Sequence, residues 1–422
     1  MTAPPDVEQP SALTLPPSGS GERAARRRHQ SRRRVRTALF AVAMVLLVVA
    51  IPVLAAIGVR TLRDTTTGRR IGAQNDPSKP RYEANVVPTP VALVVETDDQ
   101  GALAGVTMVT LGRDDSGGSV IFIPSATVAP LSTGGQDTLD HVASVGHVPA
   151  LQQAAANLLG LSFGEVLVVS PSQWQQFVTP VGPVTFDNPD RLVQLDAKGR
   201  TSVLFPAGTI TLAPEQVATY LHARNPNESD AARLVRNETF WTAWLAAIKA
   251  SHNPNAVPGE LTSGFGRYAR GLAKGNVDLA LLPVKPTGSG TSETFQPDKA
   301  AVADLVSREV PLPTPANPGD RVRVRVLSGA GPIGSPNAVA SKVVSVGGEV
   351  IIVGNADRFD YATTQIEYYD DAFAAAANKI QAALGIGTVI KSSTPTDIED
   401  VTIVLGRDAA GPFPGSIGGS GG

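Results

Sequence analysis

The 422-residue chain has no cysteine. That excludes a disulfide scaffold, a thiol nucleophile and every cysteine-ligated metal site. It does not fix the compartment, because exported proteins also do without disulfides. Histidine is sparse, with five scattered residues at His29, His141, His147, His222 and His252. His141 and His147 are six apart, which does not place two metal ligands on one helix face. No Gly-x-Ser-x-Gly, Ser-x-x-Lys or phosphate-loop sequence occurs. Net charge is also nearly missing: 36 Lys and Arg against 38 Asp and Glu leave −2.

That small figure hides a segregation. Residues 1–36 carry eight Arg against Asp6, Glu8 and Glu22, a net +5. Residues 60–70 carry four Arg against Asp64, a net +3, so residues 71–422 carry −10. Between the basic stretches lies TALFAVAMVLLVVAIPVLAAIGV, residues 37–59, without a charge. At about 1.5 Å per residue it spans roughly 34 Å, the thickness of a bilayer core. Pro52 is a break that a bilayer helix tolerates. The run is too long for a cleaved signal segment and too free of charge for an ordinary core helix. Arg is denser on its N-terminal side, which puts the N-terminus in the cytoplasm and residues 60–422 outside. The Pro/Ser/Arg-rich arm 1–36 reads as disordered and suits anionic headgroups better than nucleic acid.

Outside the anchor, a polar stem covers 60–86. Apolar β-like runs follow at 91–97 (VALVVET), 106–112 and 119–124. Helical spacing covers 141–160, closed by Gly160. A strand at 164–170, a short helix at 172–182, a helix from Leu212 to Ala223 and another from Arg233 to Ala250 complete the region. The last presents Phe240, Trp241 and Trp244 to a core. Alternating strands and helices predict an α/β domain with a central sheet over 87–283. The Pro/Gly/Ser/Thr-rich stretch 284–320 reads as a linker with a short helix near 298–308. A smaller α/β domain occupies 321–408, and the Gly/Ser-rich tail 409–422 reads as disordered.

Two segments resemble a known family. RVRVLSGAGPIGSPNAVASKVVSVGGEVIIVGNAD, TTQIEYYDD and DVTIVLGRD keep the element order of the LytR C-terminal domain. ASVGHVPALQQAAANLLGLSFGEVLVVSPSQWQQFVTPVGPVTFD and FPAGTITLAPEQVATYLHARNPNESDAARLVRNETF resemble central stretches of the LytR-CpsA-Psr family. That resemblance implies an α/β/α fold on the outer face of the cytoplasmic membrane. It implies transfer of a glycopolymer from a polyprenyl-pyrophosphate carrier to a cell-wall hydroxyl, with a divalent metal. The balance of 27 Arg to 9 Lys suits a high-GC, actinobacterial envelope.

Position by position, the resemblance is partial. Arg224, Asp230, Arg233 and Arg236 stand where the family has charged residues. Asn237 replaces a Gln and His222 an Arg. Asp98 matches a family Asp, but Gln100 stands in place of an Arg. Ala104 and Val106 replace an Arg and an Asp, and Ser125 and Ala126 another Arg and Asp. Arg224, Arg233 and Arg236 are therefore pyrophosphate-binding candidates, with Asp230 and Asn237 in support and Asp98 as the metal candidate. A salt-bridged helix face, with Asp230 as partner, explains the three arginines equally well. One carboxylate is a poor site for a hard divalent cation.

The expectation is a pseudoenzyme of the envelope, without cofactor. It would bind cell-wall glycopolymer, polyprenyl-phosphate lipid or an active relative, and no nucleic acid. The alternative is an active phosphotransferase using Mg2+, with Asp98 plus Asp99 or Asp114 as ligands.

Overall fold

The structure is a computed structural model, and it describes residues 74–196, 198–288, 293–393 and 396–417. The basic arm, the apolar run 37–59 and the beginning of the stem lie outside the described residues. Among the described residues no helix is long and apolar enough to cross a membrane.

The run VALVVET forms β2 (Val91–Thr97), after a short β1 (Glu83–Asn85). β3 (Leu103–Leu111) and β4 (Gly118–Ile123) follow as antiparallel neighbours. A small hairpin of β5 (Val128–Pro130) and β6 (Gln136–Thr138) leads into α1 (Leu139–Leu159). α1 is broken at His147, where φ is 57°, and ends on Gly160 in the left-handed region. β7 (Glu165–Val169) pairs parallel to β2. α2 (Pro171–Val178) starts on a Ser170–Gln173 capping box with Pro171 at its first turn, a strong local start signal.

Two hairpins come next: β8 (Val184–Asn188) with β11 (Gly208–Leu212), enclosing β9 (Leu192–Leu195) with β10 (Thr201–Phe205). α3 (Val217–His222), α4 (Asp230–Ser251) and α5 (Gly264–Lys274) precede β12 (Val277–Leu281). The central sheet runs β12-β4-β3-β2-β7.

β2 is apolar without alternation because both faces of this sheet are covered. Ala92 and Val94 face a core built with α2 to α5, while Val91, Leu93 and Val95 face α1 and the later helix α6. The result is an α/β/α sandwich.

The stretch expected as a linker is largely structured. It forms the hairpin β13 (Val284–Thr287) and β14 (Thr294–Pro297), then α6 (Lys299–Glu309). Phe295, Val302, Leu305 and Val306 are buried, and all but Phe295 are in the second core. Turn-rich composition concealed the hairpin, while α6 lies within one residue of the short helix expected near 298–308.

The C-terminal domain comprises β15 (Val322–Ser328), α7 (Asn337–Ser345), β16 (Gly348–Asn355), β17 (Gln365–Tyr368), α8 (Ala374–Leu384), β18 (Thr388–Lys391) and β19 (Val401–Leu405). Its sheet order is β1-β16-β15-β19-β17-β18. The end of the presumed stem is thus an edge strand of this sheet. β1 pairs antiparallel with β16, and Asn355 Nδ2 donates to the carbonyls of Pro77 and Lys79 at 2.8 and 2.6 Å. Polar composition alone does not reveal a three-residue strand whose partner lies far along the chain. The expected tail is also partly anchored, since Phe413 is buried and Ile417 bridges Ile333.

Candidate functional site

The candidate residues meet where β4 ends and α4 begins. Ser229 caps α4 by accepting from the Ala232 N–H at 3.0 Å, which places Asp230 in the first turn. The chain leaving β4 brings Ser125 to the same point. Its N–H and Oγ–H both donate to Asp230 Oδ2, at 2.8 and 3.1 Å. Arg233, three residues on and therefore on the same helical face, donates from Nε to Asp230 Oδ1 at 2.9 Å. Its Nη2 lies 2.8 Å from the same oxygen, and its Nη1 donates to the Leu221 carbonyl at 2.8 Å. Every nitrogen of the Arg233 fork has a protein acceptor. Burial pushes the Asp230 carboxyl up, but the Arg233 charge and the Ser125 N–H bond hold it below its ordinary value.

Arg236 is committed through its two terminal nitrogens, while its buried Nε has no hydrogen-bond partner among the described residues. Its Nη1 is paired with Glu228, and its Nη2 donates to the Ala223 carbonyl. Arg233 and Arg236 are only 3% and 2% exposed. Asn237 Nδ2 donates to the Leu221 carbonyl at 3.0 Å. Arg224 is more open, yet its Nη2 donates to the Glu228 carbonyl at 2.6 Å and lies 3.8 Å from Glu293 Oε2. Glu293 in turn accepts from the Asp230 N–H at 3.2 Å. Three arginines therefore face three carboxylates, Glu228, Asp230 and Glu293.

A second polar group lies behind this network. Glu96, near the end of β2, is buried, and its Oε2 accepts from Trp174 Nε1 at 3.0 Å and lies 3.1 Å from His222 Nε2. Burial raises its carboxyl. The His222 contact, the Arg233 charge and the Trp174 bond together outweigh this and hold it below the ordinary carboxylate value. Around Trp174 the core is filled by rings: Phe240, Trp241, Trp244 and Phe265 have centroids 5.4–6.1 Å from it, all edge-on.

Asp98 does not join this network through any described contact. It lies in the turn after β2, where its Oδ1 accepts from the N–H groups of Gln100 and Ala102 at 2.9 and 2.8 Å. Asp114 follows the far end of β3, a nine-residue strand, so roughly 30 Å separates the two ends. Among the described residues no three His, Asp or Glu side chains come together as metal ligands. The donor set does not fit a hard divalent cation: Asp230 and Glu228 are held by arginine, and Asp98 stands in an exposed turn. The described contacts thus give Asp98 a turn-holding role beside Asp99 and place Asp114 at the other end of β3. The substituted positions have other work: Val106 is buried in the second core, and Ser125 supplies two donors to Asp230.

Reading the sequence missed Glu96, Trp174, Glu228 and Glu293. Glu96 had a signal, a lone acid inside an otherwise apolar strand, which burial forces to find partners. Glu293 had none, since it lies more than 60 residues from its partner in the chain.

Residues 321–408 match the family model described as LytR cell envelope-related transcriptional attenuator. This part of the chain is a LytR C-terminal domain. No curated protein matches the chain. Among solved structures, TagV of B. subtilis is 17% identical, over 51% of this chain and 93% of TagV, with a TM-score of 0.42. TagT, a LytR-CPS2A-psr family protein with bound octaprenyl pyrophosphate lipid, is 18% identical over 55% and 90%, with a TM-score of 0.40. The Lin1025 protein of Listeria innocua is 19% identical over 52% and 97%, with a TM-score of 0.37. The LytR C-terminal domain lies on the same side of the first domain as the end of α1: Arg321 donates from Nε and Nη2 to the Gly160 carbonyl at 3.2 and 3.0 Å.

Chemically, the network around Asp230 is a self-neutralised ion lattice. Such a lattice orders the chain between β4, α3 and α4. It leaves few cationic donors for an incoming anion.

Proposed function

We propose that this chain is a cell-envelope binding protein with the frame of a LytR-CpsA-Psr transferase and without its transfer chemistry. Residues 37–59 anchor it in the cytoplasmic membrane, with the Arg-rich arm inside and the folded domains outside. It holds cell-wall glycopolymer, a polyprenyl-linked precursor or an active relative, and it needs no Mg2+ for this. The membrane placement is supported by the 23 uncharged residues and the flanking Arg asymmetry. The envelope setting is supported by the LytR C-terminal domain.

One observation carries the non-catalytic reading: the whole fork of Arg233 and both terminal nitrogens of Arg236 are spent on Asp230, Glu228 and backbone carbonyls. Stabilising a transferring phosphoryl group needs donors aimed at the developing charge and a cation held by free carboxylates. Here the donors and the carboxylates satisfy one another. The reading is tested by immobilising the full-length chain and passing over it purified wall glycopolymer, polyprenyl-linked precursor and a solubilised active relative, each with and without Mg2+. Retention of at least one, chemically unchanged and independent of Mg2+, is expected. Retention of none would overturn the reading.

A further inference from the structure

The helices of the LytR C-terminal domain pack on one face of its sheet. α7 and α8 cover Val324, Val326, Ile366 and Ile403. The opposite face carries a cleft of about 390 Å³, a size typical of small-ligand sites. Its floor is a small apolar patch, Leu327, Ala356 and Val404, against which Tyr361 packs. Tyr361 is itself fixed: its hydroxyl donates to Asp357 Oδ1 at 2.9 Å, and the Arg358 guanidinium lies 4.4 Å from its ring centroid.

The polar wall sorts into used and unused groups. Arg325 is paired with Glu83 and Glu399, and the Tyr369 hydroxyl bonds Thr402 Oγ1 at 2.8 Å. Arg81 and Glu367 also line the cleft, and neither side chain has an ion-pair or hydrogen-bond partner among the described residues. Arg81 precedes β1 and Glu367 lies on β17, four strand spacings apart, so about 19 Å separates them across the strands alone. Guanidinium donors thus wait at one end and carboxylate acceptors at the other, across an apolar floor.

We infer that this cleft is a binding site for an uncharged oligosaccharide. A sugar offers hydroxyls that both donate and accept, and C–H faces that cover apolar surface. A phosphate-rich polymer carries a negative charge at every unit and would meet Glu367 and Asp357 with like charge. A peptide normally joins a sheet through an unpaired strand edge. This cleft lies on the sheet face, where backbone groups are already paired. The span between Arg81 and Glu367 suits several sugar units rather than one. The inference deepens the binding role proposed above and rests on it for the source of the glycan.

The test titrates the full-length chain with three probes: N-acetylglucosamine tetramer, polyglycerol phosphate and tetra-alanine. Arg81→Ala, Glu367→Ala and the double variant are compared with wild type, with circular dichroism confirming their fold. The expected result is binding of the neutral tetramer in preference to the other probes, weakened about tenfold or more in the double variant. Tetramer binding unchanged in the double variant would overturn this cleft as the site while leaving the binding role intact. Preference for polyglycerol phosphate or tetra-alanine would overturn the ligand class. Absence of tetramer binding would overturn the inference, and the binding role itself falls only if the retention experiment above also fails.

Discussion

Arg233 holds Asp230 at 2.8 Å with both side chains about 95% out of solvent. Two charges removed from water in this way are costly to separate, because whichever remains is left buried and unpaired. Asp230→Ala is therefore expected to destabilise the first domain by about 3–5 kcal/mol. The double variant Asp230→Leu/Arg233→Met should cost less than Asp230→Ala alone, since no net charge is stranded. Urea titration monitored by Trp fluorescence checks this, because Trp174, Trp241 and Trp244 all lie in that domain's core.

The same pair sets a pH dependence. The carboxyls of Asp230 and Glu96 are held below their ordinary values of 3.8 and 4.5. The unfolded chain then binds protons that the native chain does not, so their contribution is complete above the ordinary values. It is lost as pH falls through the lower native values. Urea midpoints should decline below about pH 4.5, and Asp230→Asn should make that decline shallower. An unchanged slope in the variant would contradict the assignment.

Trp174 has two roles that substitutions separate. Trp174→Ala removes the ring on which four others pack and should cost about 3–5 kcal/mol. Trp174→Phe keeps much of the packing but removes the indole N–H from Glu96, for about 1–3 kcal/mol. Paired denaturation curves measure both.

The edge strand makes the LytR C-terminal domain depend on residues before the first domain. β16 accommodates β1 at Gly354, where any side chain would collide with the Tyr82 carbonyl. Gly354→Ala should release residues 74–86 and raise their hydrogen exchange, while exchange in α4 stays unchanged. Protection of 82–86 equal to wild type would contradict this.

Much of the fold was legible in the sequence because burial writes simple patterns. The unbroken apolar run of β2 announced a sheet covered on both faces, and the Gly160 helix end was readable as a left-handed cap. The hairpin β13–β14 was hidden by the Pro, Gly and Ser around it, whereas the short helix expected near 298–308 lies within one residue of α6 and carries Leu305 into the core. At the site, the three arginines and Asp230 could be named, but not their state. Spacing alone leaves a phosphate clamp and an internal salt bridge equivalent. Glu228 and Glu293 decide between them, and only tertiary structure brings Glu293 there.

The proposal's central claim is that Arg233 and Arg236 are turned inward and do not serve transfer chemistry. The most direct measurement is turnover of a polyprenyl-pyrophosphate-linked oligosaccharide by the full-length chain, with Mg2+ and a cell-wall acceptor. The account predicts no product above the protein-free control at any Mg2+ concentration. Mg2+-dependent transfer that disappears in a folded Arg233→Lys or Arg236→Lys variant would contradict it.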